Sequence, residues 1–462
     1  MTPALAAILA YLVLQFGIWI WVSRRVRDEA DYLLAGRSLG YTLATFSIFA
    51  TWFGSETVVG SAGNTWRDGV SLASAEPFGY GLCLVLMGLL FAGPLWRRRL
   101  TTLADLFRQR YSVGVERLAA VILIPGSILW AAAQIRAFGH VLSTATEGIP
   151  IEVAIGAAAG FTMLYTMFGG LLADAITDVV QGVVLALGLC IVLVAVVVQL
   201  GDAGGALTVL RAAGPVQWIP AGGASPWEIA EEWAIPVCGS VIATELVGRV
   251  IATRTPVIAR RSSMLAGGMY VVIGVIPVVL GLIGRVVLPD LAESEQVIPA
   301  LVSRLLPTVF YAIFAGALIS AILSTVDSTL LVSSGLLSHN LIVPAFGIVD
   351  ERMKVRIARV GVFAFGAIAY VLAVRAEGVF ALVEQASAFG SAGTLVTVCF
   401  ALFTGVGGVV AATAALAGGV LSYLVASYGG FPYPFLASLA VALGAYLLGA
   451  TSEVMSRTPV PD

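Results

Sequence analysis

The chain has 462 residues, 59% of them hydrophobic and 11% charged, with a net charge of −2. Soluble domains carry about 25% charged residues, so a chain this apolar cannot clothe a surface in water, and its near-neutral balance excludes nucleic acid as a partner. Cys83, Cys190, Cys238 and Cys399 all lie in apolar runs, and His140 and His339 stand far apart, which gives neither a disulfide framework nor a zinc site.

Crossing the hydrocarbon layer takes about 20 apolar residues in a helix. Candidate spans run over 4–22, 43–64, 70–95, 117–145, 150–168, 175–200, 226–250, 263–288, 307–338, 356–374, 379–404, 406–427 and 432–450. Continuous apolar runs, without ten-residue alternation, read as helices and exclude a barrel. The first span has Arg24, Arg25 and Arg27 directly after it and no basic residue before it, so it reads as an anchor and not as a cleaved signal. Links bearing Arg37, Arg97–Arg99, Arg108, Arg110, Arg254, Arg260, Arg261, Arg352 and Lys354 alternate with links bearing only Arg67, Arg211, Arg285, Arg304 and Arg375. The positive-inside rule puts the arginine-rich links in the cytoplasm and the N-terminus outside, in a plasma membrane. The odd number of spans then leaves the C-terminus in the cytoplasm. No long loop offers room for a soluble domain, so function is expected between the helices.

Polar groups inside spans are costly and therefore candidates for function. In the second span Gly54 and Ser55 precede Glu56; a Gly-Ser pair loosens the helical ladder and frees the carbonyls of Ala50 and Phe53 for a small hard cation. The same glycines also suit plain close packing. Glu76 falls about two turns into the third span, and Trp52, Tyr80 and Trp130 are aromatics in apolar surroundings. Arg136 is expected to snorkel to the outer interface. The sixth span opens with Asp174, Asp178 and Gln181; Asp174 reads as a cap, and capping is open for Asp178 as well. Ser225-Pro226-Trp227-Glu228 is a capping box opening the seventh span. Within that span Glu245 and Arg249 are spaced for an i,i+4 ion pair. The ninth span carries Ser320, Ser324, Asp327 and Ser328 on one face with Thr325 beside them, and the Ala321 carbonyl one turn earlier. Hydroxyls and a carboxylate on one face suit an ion that prefers oxygen, although interhelical hydrogen bonding explains the serines alone.

The stretches DYLLAGRSLGYTLATFSIFATWFGSETVVGSAG (31–63), GGLLADAITDVVQG (169–182) and AGALISAILSTVDSTLLVSS (315–334) resemble the sodium:solute symporter family. ATW (50–52), PFGYGLCLVLMGLLFAGP (77–94), WAAA (130–133) and TDVVQ (177–181) are most similar to its choline-transporter branch. The resemblance implies an all-α membrane protein of about 13 helices with a LeuT-type 5+5 inverted-repeat core. One extra helix (4–22) would precede the first repeat (43–200), and two extra helices (406–450) would follow the second (226–404). It implies a sodium ion held by Ala50, Phe53, Ala321, Ser324 and Thr325, and in some members a second sodium, at positions matching Asp178, Asp327 and Ser328. It also implies a substrate pocket at Trp52, Tyr80 and Trp130. There the cage aromatic of the seventh span is replaced by Ala243, and Glu56 and Glu76 stand where choline transporters carry no charge. The expected function is inward sodium-coupled symport of a small organic cation or amine by alternating access. Alternatives are a neutral or anionic solute or a non-transporting sensor, the last lacking a signalling domain after residue 450. A membrane enzyme is not expected, since the sequence offers no nucleophile–base pair, no catalytic residue and no metal-ligand cluster.

Overall fold

In lipid a backbone must satisfy itself, and the chain answers almost entirely with helices. The computed structural model describes residues 3–24, 26–146, 149–214, 216–219, 223–376 and 378–457; Arg25 lies outside them. Among the described residues ten helices are long and apolar enough to cross a membrane, and Ile8–Ser23 is a shorter apolar one. The spans expected at 150–168 and 175–200 join as Ile151–Gln199, 49 residues bent at Gly170. At 1.5 Å per residue a straight helix of that length would measure about 70 Å, more than twice the hydrocarbon thickness, so the bend separates two crossings. Gly170 has φ +64°, and a Cβ there would meet the Tyr32 carbonyl at 2.7 Å, so only glycine takes this turn without strain.

The second span breaks as the Gly-Ser pair predicts. Tyr41–Trp52 ends at Phe53, which leaves the helical region (φ −89°, ψ 72°). A π-helical turn, Glu56–Gly60, then leads into Ser61–Asp68. Gly54 leaves room for the Glu56 carboxylate, which a Cβ there would displace.

The seventh span, expected over 226–250, is also broken. Pro226–Ala234 runs into the π-helical turn Ile235–Gly239, residues 240–243 leave the helix, and Thr244–Ile251 resumes it. Gly239-Ser240 repeats the Gly54-Ser55 pair. The capping box at its start forms, with Ser225 and Glu228 exchanging hydrogen bonds. Glu231 accepts from the N–H groups of Phe435 and Leu436 at 2.7 and 2.8 Å, capping the helix Pro434–Arg457.

The third span begins at Phe78, behind Pro77, and not at 70. Residues 70–77 are turns, so Glu76 sits in the approach to this helix instead of two turns inside it. Thr308–Gly335 is buried continuously from Ala317 to Leu331, which makes it the central helix and leaves its hydroxyl face no solvent to meet.

The arginine-rich links pack together at one end. Arg37 donates to the carbonyls of Leu100 and Ile251, Arg254 to Ser38 and Arg110 to Gly407. At that end His339 lies 3.1 Å from the Glu29 carboxylate and 3.3 Å from that of Asp105. Burial alone would raise the Asp105 carboxyl, but hydrogen bonds from His339 and from the Thr101 and Thr102 amides hold it below its ordinary value. At the opposite end Trp66 donates to the Leu288 carbonyl and Trp233 to that of Leu72. Arg136 is half-buried and donates to the Ala373 carbonyl at 2.8 Å, near the end of the helix Glu351–Arg375.

Candidate functional site

The break in the second span faces the central helix, and that in the seventh packs at Gly239 against the Ser387 carbonyl. Interrupting a helix orphans its last carbonyls, and here they meet the hydroxyl stripe. Ser324 Oγ donates to the Ala50 carbonyl, and Thr325 Oγ1 donates to the Thr51 carbonyl at 2.9 Å. Both hydroxyls also reach the Ala321 carbonyl, at 3.3 and 3.1 Å. Ala50, Ala321, Ser324 and Thr325 thus converge with every side chain buried, and the Thr51 carbonyl, which no sequence pattern singles out, joins them. Phe53 marks the break itself. Its ring packs 5.0 Å from Tyr270, and among the described residues no hydrogen bond ties its carbonyl to 321–325. An all-oxygen, water-excluded set of carbonyls and hydroxyls fits a sodium ion.

A second polar cluster lies further along the same two helices. Asp174 does not cap: it is buried, and its Oδ2 pairs with Arg249 at 2.5 Å. Asp178 Oδ2 accepts from Ser47 Oγ at 2.5 Å and lies 3.6 Å from the same guanidinium. Arg249 is fully buried; its Nε donates to Ser47 Oγ at 3.0 Å, and one terminal nitrogen also donates to Ser328. The expected Glu245–Arg249 ion pair does not form, because Arg249 touches only the backbone carbonyl of Glu245, at 3.4 Å. Asp327 Oδ1 accepts from Thr166 at 2.7 Å. One carboxylate oxygen each of Asp174, Asp178 and Asp327, with both polar atoms of the Gln181 amide, has no hydrogen-bond partner among the described residues.

Beside the broken second span stands an aromatic wall. Trp130 lies 5.6 Å from Trp52 and 6.3 Å from Tyr80, and Tyr80 lies 6.2 Å from Tyr270, centroid to centroid. Glu56 Oε2 accepts from Gln134 at 2.8 Å, and the same amide accepts from the Ser55 N–H at 2.9 Å. Glu76 Oε1 accepts from Thr57 at 3.0 Å, and Thr57 in turn is bonded to the Tyr270 hydroxyl. Neither carboxylate has a cationic partner among the described residues, and Glu56 Oε1, Glu76 Oε2 and the indole nitrogens of Trp52 and Trp130 are buried without any partner. Gln134, Thr57 and Tyr270 were missed from sequence. Gln134 stands four residues after Trp130 on one helical face, a spacing that would have flagged it. Tyr270 carried no signal within its own span. Glu76 and Tyr80 also line a cavity of about 310 Å³ together with Asp68, Glu228, Glu232 and Glu384 and with Arg67, which pairs with Asp68 at 3.0 Å.

Paired broken spans around a buried central helix are the architecture of LeuT-type secondary transporters. The same fold appears in a Na+-coupled sialic acid symporter (TM-score 0.84, 16% identity, 98% of each chain) and in a nucleobase-cation-symport-1 transporter (TM-score 0.62, 15% identity, 95% of this chain and 97% of that one). The family model described as Sodium:solute symporter family matches residues 32–421, and the chain belongs to that family: it is a multi-pass, sodium-coupled solute symporter. Similar proteins include the high-affinity choline transporters of Torpedo marmorata (28% identity, 96% of this chain and 79% of the relative) and Homo sapiens (26%, 82% and 69%). The sodium/pantothenate symporter of Escherichia coli is 29% identical over 72% of this chain and 71% of its own.

Proposed function

We propose that the solute is an organic cation or amine able to donate hydrogen bonds, bound at Trp52, Glu56, Glu76, Tyr80 and Trp130 and carried into the cell. The observation that carries this reading is the pair of carboxylates, Glu56 and Glu76, set against an aromatic wall without a cationic side chain to neutralise them. Aromatic faces attract cations, and a buried carboxylate calls for a charged, hydrogen-bonding partner. The similarity to choline transporters supports a cation; the added carboxylates favour one with N–H groups over a quaternary ammonium.

In this reading sodium sits at Ala50, Phe53, Ala321, Ser324 and Thr325, with Thr51 beside them. It ties the broken second span to the central helix and holds the substrate pocket in order; when the two spans part, sodium loses ligands and solute follows. Each charge gains about 2.3 kcal/mol per 100 mV of membrane potential, and a tenfold sodium gradient adds about 1.4 kcal/mol. One sodium therefore supports about 500-fold accumulation of a neutral solute, and a cationic solute gains the potential a second time. A second sodium at Asp178, Asp327 and Ser328 must compete with the Arg249 guanidinium already at Ser328, so a measured coupling ratio of one sodium per solute would decide against it. The arginine-rich end faces the cytoplasm of a plasma membrane, and residues 43–200 and 226–404 are the two repeats, each opening on a broken span.

The test is uptake into proteoliposomes under an inward sodium gradient. Glu56→Gln and Glu76→Gln are each expected to weaken amines about 10- to 100-fold, the worth of a hydrogen bond to a charged group, while neutral solutes change little. Equal losses for cationic and neutral solutes would remove the cation reading.

A further inference from the structure

Glu245 is buried at 4% exposure, and with Arg249 committed elsewhere it has no cationic partner among the described residues. Its Oε1 accepts from Ser127, which also lies 3.2 Å from the Thr244 hydroxyl. The carboxylate lines a small cavity of about 40 Å³ together with Ser127, Trp130, Ala243, Thr244 and Ser387. Two of these residues belong equally to the substrate wall. Trp130 packs against Trp52 and Tyr80, and its indole nitrogen is buried without a partner; Ser387 is 3.1 Å from the Tyr80 hydroxyl. The cavity is therefore the chamber behind the wall. Ala243, at the break of the seventh span with only a methyl group, leaves it open.

One helix measures the separation. In Val113–Thr146, Gln134 holds Glu56 and Ser127 holds Glu245, with Trp130 between them. Seven residues are two turns on one face, a rise of about 10 Å. A charge-assisted hydrogen bond of about 2.8 Å at each end leaves roughly 5–8 Å between two donor nitrogens, the length of a three- to five-carbon chain. A cavity of this size accepts one ammonium or one water.

We infer that Glu245 is a second cation subsite, and that the substrate is an elongated diamine, one ammonium held by Glu56 and Glu76 and the other passing Trp130 to Glu245. This rests on the reading of the outer pocket as cationic and narrows it to a class with two amines.

The experiment compares sodium-driven uptake of butylamine, 1,4-diaminobutane, 1,5-diaminopentane and 1,8-diaminooctane in proteoliposomes. The parent protein is expected to prefer the four- and five-carbon diamines to butylamine by tenfold or more and to discriminate against the eight-carbon chain. Glu245→Gln is expected to collapse that ratio. Ser127→Ala, which removes only the supporting hydroxyl, is expected to lower it three- to tenfold, and it serves as the test where the glutamine variant fails to fold by thermal melting. Amine uptake without preference for diamines, or a ratio unmoved in both variants, overturns the second subsite and leaves the cation reading standing. A Glu245→Gln variant with a shifted sodium requirement and an unchanged ratio assigns the carboxylate to the ion instead, and also overturns it. A parent protein that accumulates none of the four amines but takes a neutral solute overturns the cation reading itself.

Discussion

Replacing both Ser324 and Thr325 with alanine is expected to abolish sodium-stimulated uptake at any practical sodium concentration. The central helix itself tolerates the change, since alanine is the best helix former, and the loss falls on the ion. Each hydroxyl stands within hydrogen-bond reach of two carbonyls, Ser324 of Ala50 and Ala321, Thr325 of Thr51 and Ala321. A hydrogen bond to a charged group is worth about 1.5–3 kcal/mol; taking that as the scale for a hydroxyl on sodium, losing two lowers affinity by about two to four powers of ten. The single variants are expected to give intermediate shifts that do not sum, because the two hydroxyls share Ala321. The readout is the sodium concentration giving half-maximal uptake, with thermal melting to show the variant is folded. An unchanged sodium requirement would remove the proposed ion position, whatever the substrate proves to be.

The parts of this structure written plainly in the sequence are those that depend on one segment at a time. Hydropathy marks apolar runs because each span meets lipid on its own account, and Gly54-Ser55 marks the first break because local backbone chemistry produces it. The same pair at Gly239-Ser240 passed as unbroken helix. Apolar neighbours on both sides, Ile235 to Cys238 and Val241 to Ala243, keep the hydropathy high, and hydropathy does not register backbone hydrogen bonds. Pro77 signalled a helix start, since the residue before a proline is steered from the helical region, yet the apolar run around it drew the span back to 70. Glu245 and Arg249 illustrate the limit of spacing arguments. The i,i+4 rule describes exposed helices, where water leaves a side chain only its near neighbours. A buried guanidinium takes whatever carboxylate the fold delivers, here Asp174, 75 positions away. Tyr270 enters the aromatic wall the same way, brought by packing between spans that no local pattern records.

Neutralising Arg249, as in Arg249→Gln, is expected to cost about 3–5 kcal/mol of stability, because removing one partner of a buried pair strands the other charge. The stranded charges would be Asp174 at 2.5 Å and Asp178 at 3.6 Å, both fully enclosed. Asp174→Asn alone is expected to be milder, since Asp178 and Ser47 remain beside the guanidinium. The double variant Arg249→Gln with Asp174→Asn should recover more than half of the loss in melting temperature, a coupling that independent sites would not show. An Arg249→Gln variant as stable as the parent, or one that Asp174→Asn fails to relieve, would mean the carboxylates are kept neutral in the fold and need no cation. The stake reaches beyond stability. Through one side chain the second half of the broken seventh span is fastened to Ser47 of the second span, Asp174 and Asp178 of the sixth and Ser328 of the ninth. In the proposed reading these are the elements that separate for an ion and solute to leave toward the arginine-rich end. In the proposed cycle these contacts hold that end shut, so variants that survive purification are expected to leak solute without sodium in proteoliposome flux assays.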